Sequence, residues 1–303
     1  MNVIFLGTSG SFPTASRSLP ALAITRDGEL LLFDCGEGTQ RQMILAKIRF
    51  RNRMKIFITH MHGDHILGLP GLIQSMSLFD RRAPVKLYGP KGLYDFIEAF
   101  KETVNFFLTF PIEVKEVSEG SICKENGYVI QATQVDHTIP ALAYALIENE
   151  RRGIFYPEKA KKLGVPEGPL WFKLQHEGKI TLHSGRIITS DQVMGSPRKG
   201  RKISYSGDTR PCETFLKLTE GADVMIHEAT FDDELTTKAH ESGHSTPSQA
   251  AKVALDAEVK RLVLTHISGR YLYMNNFIKQ ARDIFPTVEV AEDFKKITIF
   301  YEE

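Results

Sequence analysis

The chain has 303 residues, of which 42% are hydrophobic and 25% charged, and its formal net charge is +1 at pH 7. This composition is typical of a globular protein that buries a sizeable core. The near-neutral charge excludes a uniformly basic nucleic-acid-binding protein, so any such surface must be local. No apolar run reaches the roughly 18 residues of a membrane span, so no membrane association is expected. Three scattered cysteines favour a reducing, cytoplasmic location without disulfides.

Elements predicted in the first half of the chain are short apolar strands with helical segments between them. The predicted strands cover residues 3–6, 21–25, 30–33, 55–58 and 85–88. Helices are expected from about residue 39, over residues 70–79 and over residues 91–103, and further β stretches lie between residues 112 and 147. A loop of small residues at positions 7–11 is either a plain turn or a place where a backbone or a phosphate approaches closely.

The composition changes at residues 148–175, where basic residues, a Gly/Pro-rich run from Gly164 to Pro169 and the only tryptophan, Trp171, occur together. We interpret this segment as a flexible arm inserted in a single domain that covers residues 1–303, with an irregular surface loop as the alternative. A second basic loop covers residues 196–202. Six cations without an intervening acid extend from Arg41 to Lys55, which indicates either a solvated face or a nucleic-acid surface.

The second half of the chain continues the alternation of strands and helices. Strands are predicted at residues 203–206, 224–226 and 261–265, and two more near the C-terminus. A helix is predicted to begin at Thr246-Pro247 and to run to about Asp256, because Thr, Pro and the later Gln249 are typical of a helix start. Another helix is expected over residues 274–284.

The densest group of reactive side chains is the segment His60-Met61-His62-Gly63-Asp64-His65, directly after a buried strand. His60 and His62 can point to one side of the chain, and Gly63 permits a bend that turns Asp64 and His65 to the other. Imidazole and carboxylate groups are ligands that suit zinc, so this one loop could begin two neighbouring metal positions. The alternative is a histidine-rich surface loop that arose by chance.

Potential ligands recur where other short strands end, at His137, Asp208, His227 and His266. Ligands at the ends of several strands converge on one edge of a sheet, which is how a rigid scaffold builds a metal site. Two metals about 3.5–4 Å apart would suit attack on a phosphoryl or acyl centre. His227 exceeds the set that two metals need, so a structural role is expected for it. We assign His60, His62 and His137 to one metal, Asp64, His65 and His266 to the other, and Asp208 as the bridge.

The segment His240-Glu241-Ser242-Gly243-His244 fits the H-E-x-x-H pattern of zinc proteases. That chemistry requires both histidines on one face of a helix. Ser242 and Gly243 are poor helix residues, so we expect no protease site here.

Taken together, these motifs resemble a known family. The segment from His60 to His65 looks like the signature of the metallo-β-lactamase fold, with His137, Asp208 and His266 in its later motif order. More narrowly, the sequence resembles ribonuclease Z, the tRNA 3′-processing endonuclease family. The stretches that carry this resemblance are Leu6-Gly7-Thr8-Ser9-Gly10, Phe33-Asp34-Cys35-Gly36-Glu37-Gly38-Thr39-Gln40, His227-Glu228-Ala229-Thr230, His244-Ser245-Thr246, Thr265-His266-Ile267-Ser268 and the Gly164–Pro169 run.

The resemblance implies an α/β (α+β) fold, a four-layer αββα sandwich, with two zinc ions per subunit. It also implies a homodimer that removes the 3′ trailer from precursor tRNA and leaves a tRNA 3′-hydroxyl, the 148–175 arm of one subunit holding the tRNA while its partner cuts. One departure from the family pattern is Lys202, which stands where the family usually has Asn at the end of the basic loop.

The reaction expected is metal-assisted hydrolysis of a phosphodiester. Asp64 would bind metal and position the nucleophile, His244 would protonate the leaving ribose oxygen, and Glu228 would orient His244. A carboxylate that supports a metal ligand is the alternative role for Glu228. The candidate substrate-binding residues are Arg151, Arg152, Lys161, Lys162, Gly164, Pro166, Arg198, Lys199, Arg201 and Arg270.

Two other functions remain open from the sequence. Another hydrolase of the same fold, acting on small substrates, would need the metals but neither the arm nor the basic loop. A non-catalytic RNA-binding protein would have no use for a complete two-metal ligand set.

Overall fold

The computed structural model describes residues 1–302. Its strands are, in chain order, β1 (Asn2–Gly7), β2 (Ser9–Gly10), β3 (Ala21–Arg26), β4 (Glu29–Phe33), β5 (Met54–Phe57), β6 (Val85–Gly89), β7 (Ile112–Glu116), β8 (Gly120–Glu125), β9 (Tyr128–Val135), β10 (Ala141–Glu148), β11 (Lys179–Thr181), β12 (Ile187–Thr189), β13 (Lys202–Tyr205), β14 (Val224–Glu228), β15 (Leu262–Thr265), β16 (Ile267–Ser268), β17 (Val288–Val290) and β18 (Lys296–Thr298).

Its helices are α1 (Thr39–Leu45), α2 (Gly63–Ile66), α3 (Gly68–Leu78), α4 (Leu93–Thr103), α5 (Pro157–Lys162), α6 (Pro169–Glu177), α7 (Glu213–Thr219), α8 (Thr236–Ser242), α9 (Pro247–Asp256) and α10 (Asn275–Arg282), with short 3-10 turns at Ser190–Gln192 and Asp233–Leu235. As expected, α9 begins with Pro247 after an N-terminal cap at Thr246, whose side chain accepts a hydrogen bond from the amide of Gln249.

The chain folds into two compact units. The first consists of Met1–Ile147 and Arg201–Phe300, and within the described residues it contains two seven-stranded sheets. The strand order is β18-β1-β3-β4-β5-β6-β7 in the first sheet and β17-β15-β14-β13-β10-β9-β8 in the second. The alternating sides of these strands face three hydrophobic clusters, so the apolar pattern of the sequence specifies the layers.

The three hydrophobic clusters show that the first unit has four layers, because each cluster packs two adjacent layers together. One cluster lies between the sheets and includes Phe33 and Phe57 of the first and Tyr144 and Ile226 of the second. A second cluster packs the outer face of the first sheet against α3 and α4, and a third packs the outer face of the second sheet against α7, α9 and α10. The αββα sandwich predicted from the sequence is confirmed.

Three of the strands that lead to predicted ligands, β5, β13 and β15, pair in parallel with at least one neighbouring strand. In the first sheet β4, β5 and β6 pair in parallel, with Phe33 opposite Phe57. In the second sheet β13, β14 and β15 pair in parallel, with Glu228 opposite Thr265. The carboxyl ends of parallel strands meet at one edge, where α/β sheets place their ligand sites.

The bend in the His60–His65 segment has a different origin from the one expected. Gly63 is the first residue of α2, and His62 before it is extended, with φ −67° and ψ 147°. The chain therefore turns by starting a helix, which any residue can do, rather than through a conformation reserved for glycine.

The second unit consists of Glu148–Gly200 together with Tyr301 and Glu302. It begins where the sequence places the arm, but it extends to Gly200 rather than to residue 175. It has a small core of its own, formed by Ala160, Val165, Leu174, Ile188 and neighbouring apolar residues. Helices α5 and α6 and the β11–β12 hairpin surround this core.

One member of the basic run from Arg41 to Lys55 is an interior residue. Lys55 is 6% exposed, and its ammonium group pairs with Glu29 and with Glu125. It also donates to the Tyr128 hydroxyl at 3.2 Å. Lys55 therefore stabilises the interior and contributes nothing to a nucleic-acid surface.

Among the helices of residues 1–302, none combines the length and the apolar character that a membrane crossing requires.

Candidate metal centre

The predicted ligands come together, and three of them follow the carboxyl ends of parallel strands. His60 follows β5, Asp208 follows β13, and His266 follows β15 directly. His137 comes from the loop after β9, while Asp64 and His65 lie in the short helix α2. The side chains of His60, His65, Asp208 and His266 are nearly fully buried.

His60, His62 and His137 form one group of nitrogen atoms, which we call the first ligand group. Nδ1 of His62 lies 3.1 Å from Nε2 of His60 and 3.2 Å from Nε2 of His137. Four-coordinate zinc has bonds of about 2.0–2.2 Å, which places its ligand atoms about 3.3–3.6 Å apart. The spacing of these nitrogen atoms is close to that requirement.

Asp64, His65 and His266 form a second ligand group. Nε2 of His65 and Nε2 of His266 lie 3.3 Å apart. Oδ2 of Asp64 lies 3.7 Å from the first of these nitrogens and 3.5 Å from the second. This group therefore also has the dimensions of a metal site.

Asp208 lies between the two ligand groups. Its Oδ2 is 3.7 Å from Nε2 of His60, and 3.3 Å from Nε2 of both His65 and His266. Its Oδ1 is buried and receives no hydrogen bond from the residues that the structure describes. An unpartnered carboxylate oxygen is costly in the interior, and a cation beside it would remove that cost. The donor set therefore fits a metal ion.

The ring nitrogens that face away from the centre are held by hydrogen bonds. Nδ1 of His65 lies 2.8 Å from Oδ2 of Asp34, Nδ1 of His137 lies 2.8 Å from the Gly243 carbonyl, and Nδ1 of His266 lies 2.8 Å from the Thr230 hydroxyl. Such outer partners fix the orientation of a metal-binding imidazole.

Burial and neighbouring charges set the ionisation of the cluster. Burial lowers the pKa of His60 well below its usual value, so this imidazole is neutral, as a ligand must be. Burial alone would raise the pKa of Asp208, but His266 and His65 hold it well below its usual range. Burial opposes a charge on His65, yet Asp208 and Asp34 raise its pKa well above the usual value. Binding of a metal ion at His65 would therefore compete with its protonation.

His244 lies beside the cluster, and its Nδ1 pairs with Glu228 at 2.8 Å. Burial disfavours its charged form, but Glu228 raises the pKa of His244 to about 9. Glu228 in turn accepts hydrogen bonds from the Thr209 amide at 2.9 Å and the Thr230 hydroxyl at 2.7 Å. His244 also lies close enough to Asp208 and His266 to form a further potential metal group with them.

Two other histidines lie outside these groups, as the sequence suggested. His227 is fully buried, donates from Nδ1 to the Glu228 carbonyl at 2.7 Å, and packs edge-on against Phe215. His240 is exposed near the end of α8, and Gly243 ends that helix in a left-handed conformation before His244. The two histidines of the H-E-x-x-H pattern do not share a helix.

A cavity of about 500 Å³ opens at the cluster. Its lining includes His62, Asp64, His137, Asp208 and His244, together with the apolar side chains of Leu19 and Leu67. A phosphodiester group with part of an adjoining nucleoside is compatible with that volume.

The substrate-binding candidates of the first unit have different environments. Arg270 is exposed, and its guanidinium group lies 4.8 Å from the centroid of the Phe231 ring. Arg201 is only 7% exposed, and its Nη1 donates to the Ile299 carbonyl at 2.9 Å. The buried guanidinium group of Arg201 has a structural role in this conformation and offers little surface to a substrate. Lys202, the departure from the family pattern, donates from its ammonium group to the Glu220 carbonyl at 2.7 Å.

The candidates of the second unit are mostly on its surface. The exposed members are Arg152, Lys161, Lys162, Gly164, Pro166 and Lys199. Arg151 and Arg198 are half-buried and exchange backbone hydrogen bonds of 2.7 and 2.8 Å. The Arg151 guanidinium lies 3.8 Å from the centroid of the Tyr301 ring, so its charged group is already engaged within the unit.

Sequence reasoning did not single out the residues that hold the ligands. Asp34 and Thr230 both lie in stretches that carried the family resemblance, but neither followed from ligand chemistry. Asp34 is one of the few non-glycine residues with positive φ, at 59°, and this conformation cannot be predicted from the sequence. Only the relation of these residues to His65 and His266 in space gives them a role.

Comparisons with known proteins identify the family and the fold of the chain. The family model described as Anti-Pycsar protein Apyc1 matches residues 1–158, and a beta-lactamase superfamily domain matches residues 172–267. Ribonuclease Z of Methanosarcina acetivorans is 47% identical over 302 residues, covering 99% of each chain. Ribonuclease Z of Brevibacillus brevis is 42% identical, covering 99% of this chain and 97% of the relative.

Among solved structures, human tRNase Z, short form, superposes with a TM-score of 0.73 at 33% identity and 99% coverage of each chain. The metallo-β-lactamase fold protein YhfI from Bacillus subtilis, at 17% identity and a TM-score of 0.68, shares the fold. Because similarity to the ribonuclease Z relatives extends over almost the whole sequence, this chain belongs to the ribonuclease Z family of the metallo-β-lactamase fold.

Proposed function

We propose that this chain is a metal-dependent endoribonuclease that removes the 3′ trailer from precursor tRNA and leaves a tRNA 3′-hydroxyl. The observation that carries the proposal is the convergence of two ligand groups and Asp208 beneath one open cavity. Full-length relatives that are named ribonuclease Z support the choice of substrate.

We propose two zinc ions as the cofactor. The first ligand group would hold one ion and the second group the other, with Asp208 shared between them. Donors of nitrogen and carboxylate oxygen suit zinc. A bound metal pair supplies Lewis acidity, which makes water nucleophilic near neutral pH and neutralises charge at phosphorus.

Three side chains at or beside the cavity would perform the remaining steps of the reaction. Asp64 would position the attacking water, because its carboxylate lies at the cavity beside the second ligand group. His244 would donate a proton to the ribose 3′-oxygen as the P–O bond breaks, since its Nδ1 is engaged by Glu228 and its ring lines the same cavity. Glu228 favours the protonated form of that ring and fixes its orientation.

The second unit would hold the body of the tRNA. Its exposed cations and its exposed aromatic ring, Phe172, which stacks on His176 at a centroid distance of 3.8 Å, are groups that bind phosphates and bases. Arg270 of the first unit would contact the RNA strand. Another hydrolase of this fold, acting on small phosphodiesters, is the second candidate, because the metal centre alone does not require a large substrate.

We further propose a homodimer in the cytoplasm. Ile44 and Phe79, 61% and 71% exposed, border a groove of about 600 Å³ between α1 and the end of α3. An exposed apolar patch of this kind is suited to a self-complementary interface. Cys35, Cys123 and Cys212 are free thiols, as is typical of a reducing compartment.

The function is tested with a precursor tRNA that carries a 3′ extension. The expected products are a tRNA with a 3′-hydroxyl and a trailer with a 5′-phosphate, identified by end-group analysis. A chelator should abolish cleavage and added zinc should restore it. Cleavage that persists at full rate in the metal-stripped protein would contradict the proposal.

Replacing His244 by alanine should leave both metals bound and reduce single-turnover cleavage about 10²–10⁴-fold, because the leaving oxygen loses its proton donor. Elemental analysis measures the metals and saturating enzyme isolates the chemical step. His240→Ala, at an exposed position four residues earlier, is the matched control and should cleave normally. Loss of a metal in His244→Ala would move His244 into the ligand set, and unchanged turnover would remove it from the mechanism.

Removing residues 149–200, which make up most of the second unit, should distinguish between the two candidate substrates. Ile147 of β10 pairs with Lys202 of β13, so an Asn-Gly turn can replace residues 149–200 between adjacent antiparallel strands. We expect hydrolysis of bis(p-nitrophenyl) phosphate to be retained, while KM for precursor tRNA rises at least about tenfold as phosphate contacts are lost. Unchanged cleavage of precursor tRNA would show that this unit does not bind it.

The dimer is tested by Phe79→Glu, which places a charge in the apolar groove. Sedimentation velocity should show dimers for the parent chain and monomers for the variant. The control is Leu255→Glu, since Leu255 is 49% exposed on α9 and away from the groove. A monomeric parent chain would refute the proposal directly.

A further inference from the structure

The loop of small residues at positions 7–11 lies beside the second ligand group. Strand β2 pairs in parallel with β16, Ser9 standing opposite Ile267, and the Ile267 amide donates to the Thr8 carbonyl at 2.9 Å. Because β16 begins directly after His266, this pairing fixes the backbone that leaves the ligand. We call Ser9–Gly10 and the following Ser11 the ligand-side turn.

Gly10 provides the surface on which the imidazole of His266 rests. A Cβ atom added to Gly10 would lie 2.7 Å from both Cε1 and Nδ1 of His266, and 3.1 Å from its carbonyl oxygen. No larger residue fits there unless the ring moves. The close approach of the His266 side chain therefore requires glycine at this position.

Ser11 contacts a second ligand of this group, Asp64. Its amide donates to Oδ2 of Asp64 at 2.8 Å, and this is the oxygen that lies 3.5 Å from Nε2 of His266. The amide is thus committed to the carboxylate. One turn touches two ligands of the second group through two different atoms.

The backbone around these contacts is strained. Ser11 and His266 have φ angles of 66° and 57°, in the left-handed region that residues with a Cβ atom rarely adopt. Strained residues persist where the surrounding structure holds them, and they concentrate at functional sites. Here the pairing of β2 with β16 holds both residues.

The first ligand group is supported by other residues. Nδ1 of His60 lies 3.0 Å from the Thr59 hydroxyl, and Nδ1 of His137 lies 2.8 Å from the Gly243 carbonyl. Within residues 1–302, no hydrogen bond joins His60, His62 or His137 to the ligand-side turn.

We propose that the ligand-side turn is a positioning device for the second metal position alone, with Gly10 and Ser11 as its positioning residues. The inference rests on the two-metal centre proposed above. It predicts that damage to the turn weakens one metal site and spares the other.

The test is a titration of the metal-free protein with Zn²⁺ in competition with a chromophoric chelator. The parent chain should bind two equivalents. Gly10→Ala and Ser11→Val should each weaken one equivalent by about 10–100-fold, the usual effect of losing a group that orients a ligand, and leave the other unchanged. Valine is chosen because a β-branched residue disfavours positive φ.

Two further variants provide controls. Ser11→Gly keeps the amide and relieves the strain, so it should bind both ions as the parent does. Gly71→Ala adds the same methyl group in α3, where the nearest atom is Oε1 of the flexible Gln40 side chain at 2.8 Å, and this variant should also bind both ions. Melting temperatures of the metal-free variants identify any that are unfolded. Because Gly10→Ala and Ser11→Val act at different atoms, one folded variant of the two is enough to test the inference.

The outcomes are distinct. Selective loss of one equivalent, with recovery in Ser11→Gly, supports the inference. Two unchanged equivalents, equal weakening of both, or equal damage from Ser11→Gly and Ser11→Val would overturn it. A parent chain that binds no zinc would overturn the proposed metal centre as well. If the parent and every variant bind two equivalents of zinc with the same affinities, only the role of the turn is refuted.

Discussion

The cluster of candidate metal ligands depends on one buried carboxylate, that of Asp34. This side chain is fully buried and accepts hydrogen bonds from the Thr59 amide, Nδ1 of His65 and the Tyr205 hydroxyl, each at 2.8 Å. Thr59 precedes the histidine segment, and Tyr205 ends β13 of the opposite sheet. Burial and the Asp34 charge raise the pKa of Tyr205, so its phenol remains a donor. Because a buried carboxylate must be fully paired, these contacts connect the two sheets beneath the centre.

The convergence of the candidate ligands could be expected from the sequence because it follows from strand geometry. Short apolar strands that end in His or Asp have only one arrangement in a parallel sheet, with their last residues at a common edge. His60, Asp208 and His266 meet for that reason. Asp34, Thr230 and Ser11 could not be predicted from ligand chemistry, since a carboxylate, a hydroxyl and an amide are ordinary groups until the ligand they touch is known.

Surface properties were less predictable than the ligand positions. Cations are usually solvated, but Lys55 and Arg201 are interior residues whose charges are used within the fold. The sequence predicts an arm that begins at Glu148, because the composition changes there, and Glu148 is also the first residue of the second unit. The end of this segment at Gly200 depends on the packing of Leu174, Ile188 and neighbouring apolar residues. Because the helices and strands here are short, that packing produces no hydrophobic periodicity from which the sequence could predict it.

The position of that second unit in the chain has an evolutionary consequence. The two ends of its Glu148–Gly200 segment adjoin neighbouring antiparallel strands, joined by the pairing of Ile147 with Lys202, and its apolar interior is its own. Lineages can therefore lengthen, shorten or exchange this segment without disturbing the hydrogen-bonded ladder that supports the chemistry. Substrate range in such a scaffold is free to diverge while the hydrolytic apparatus stays constant.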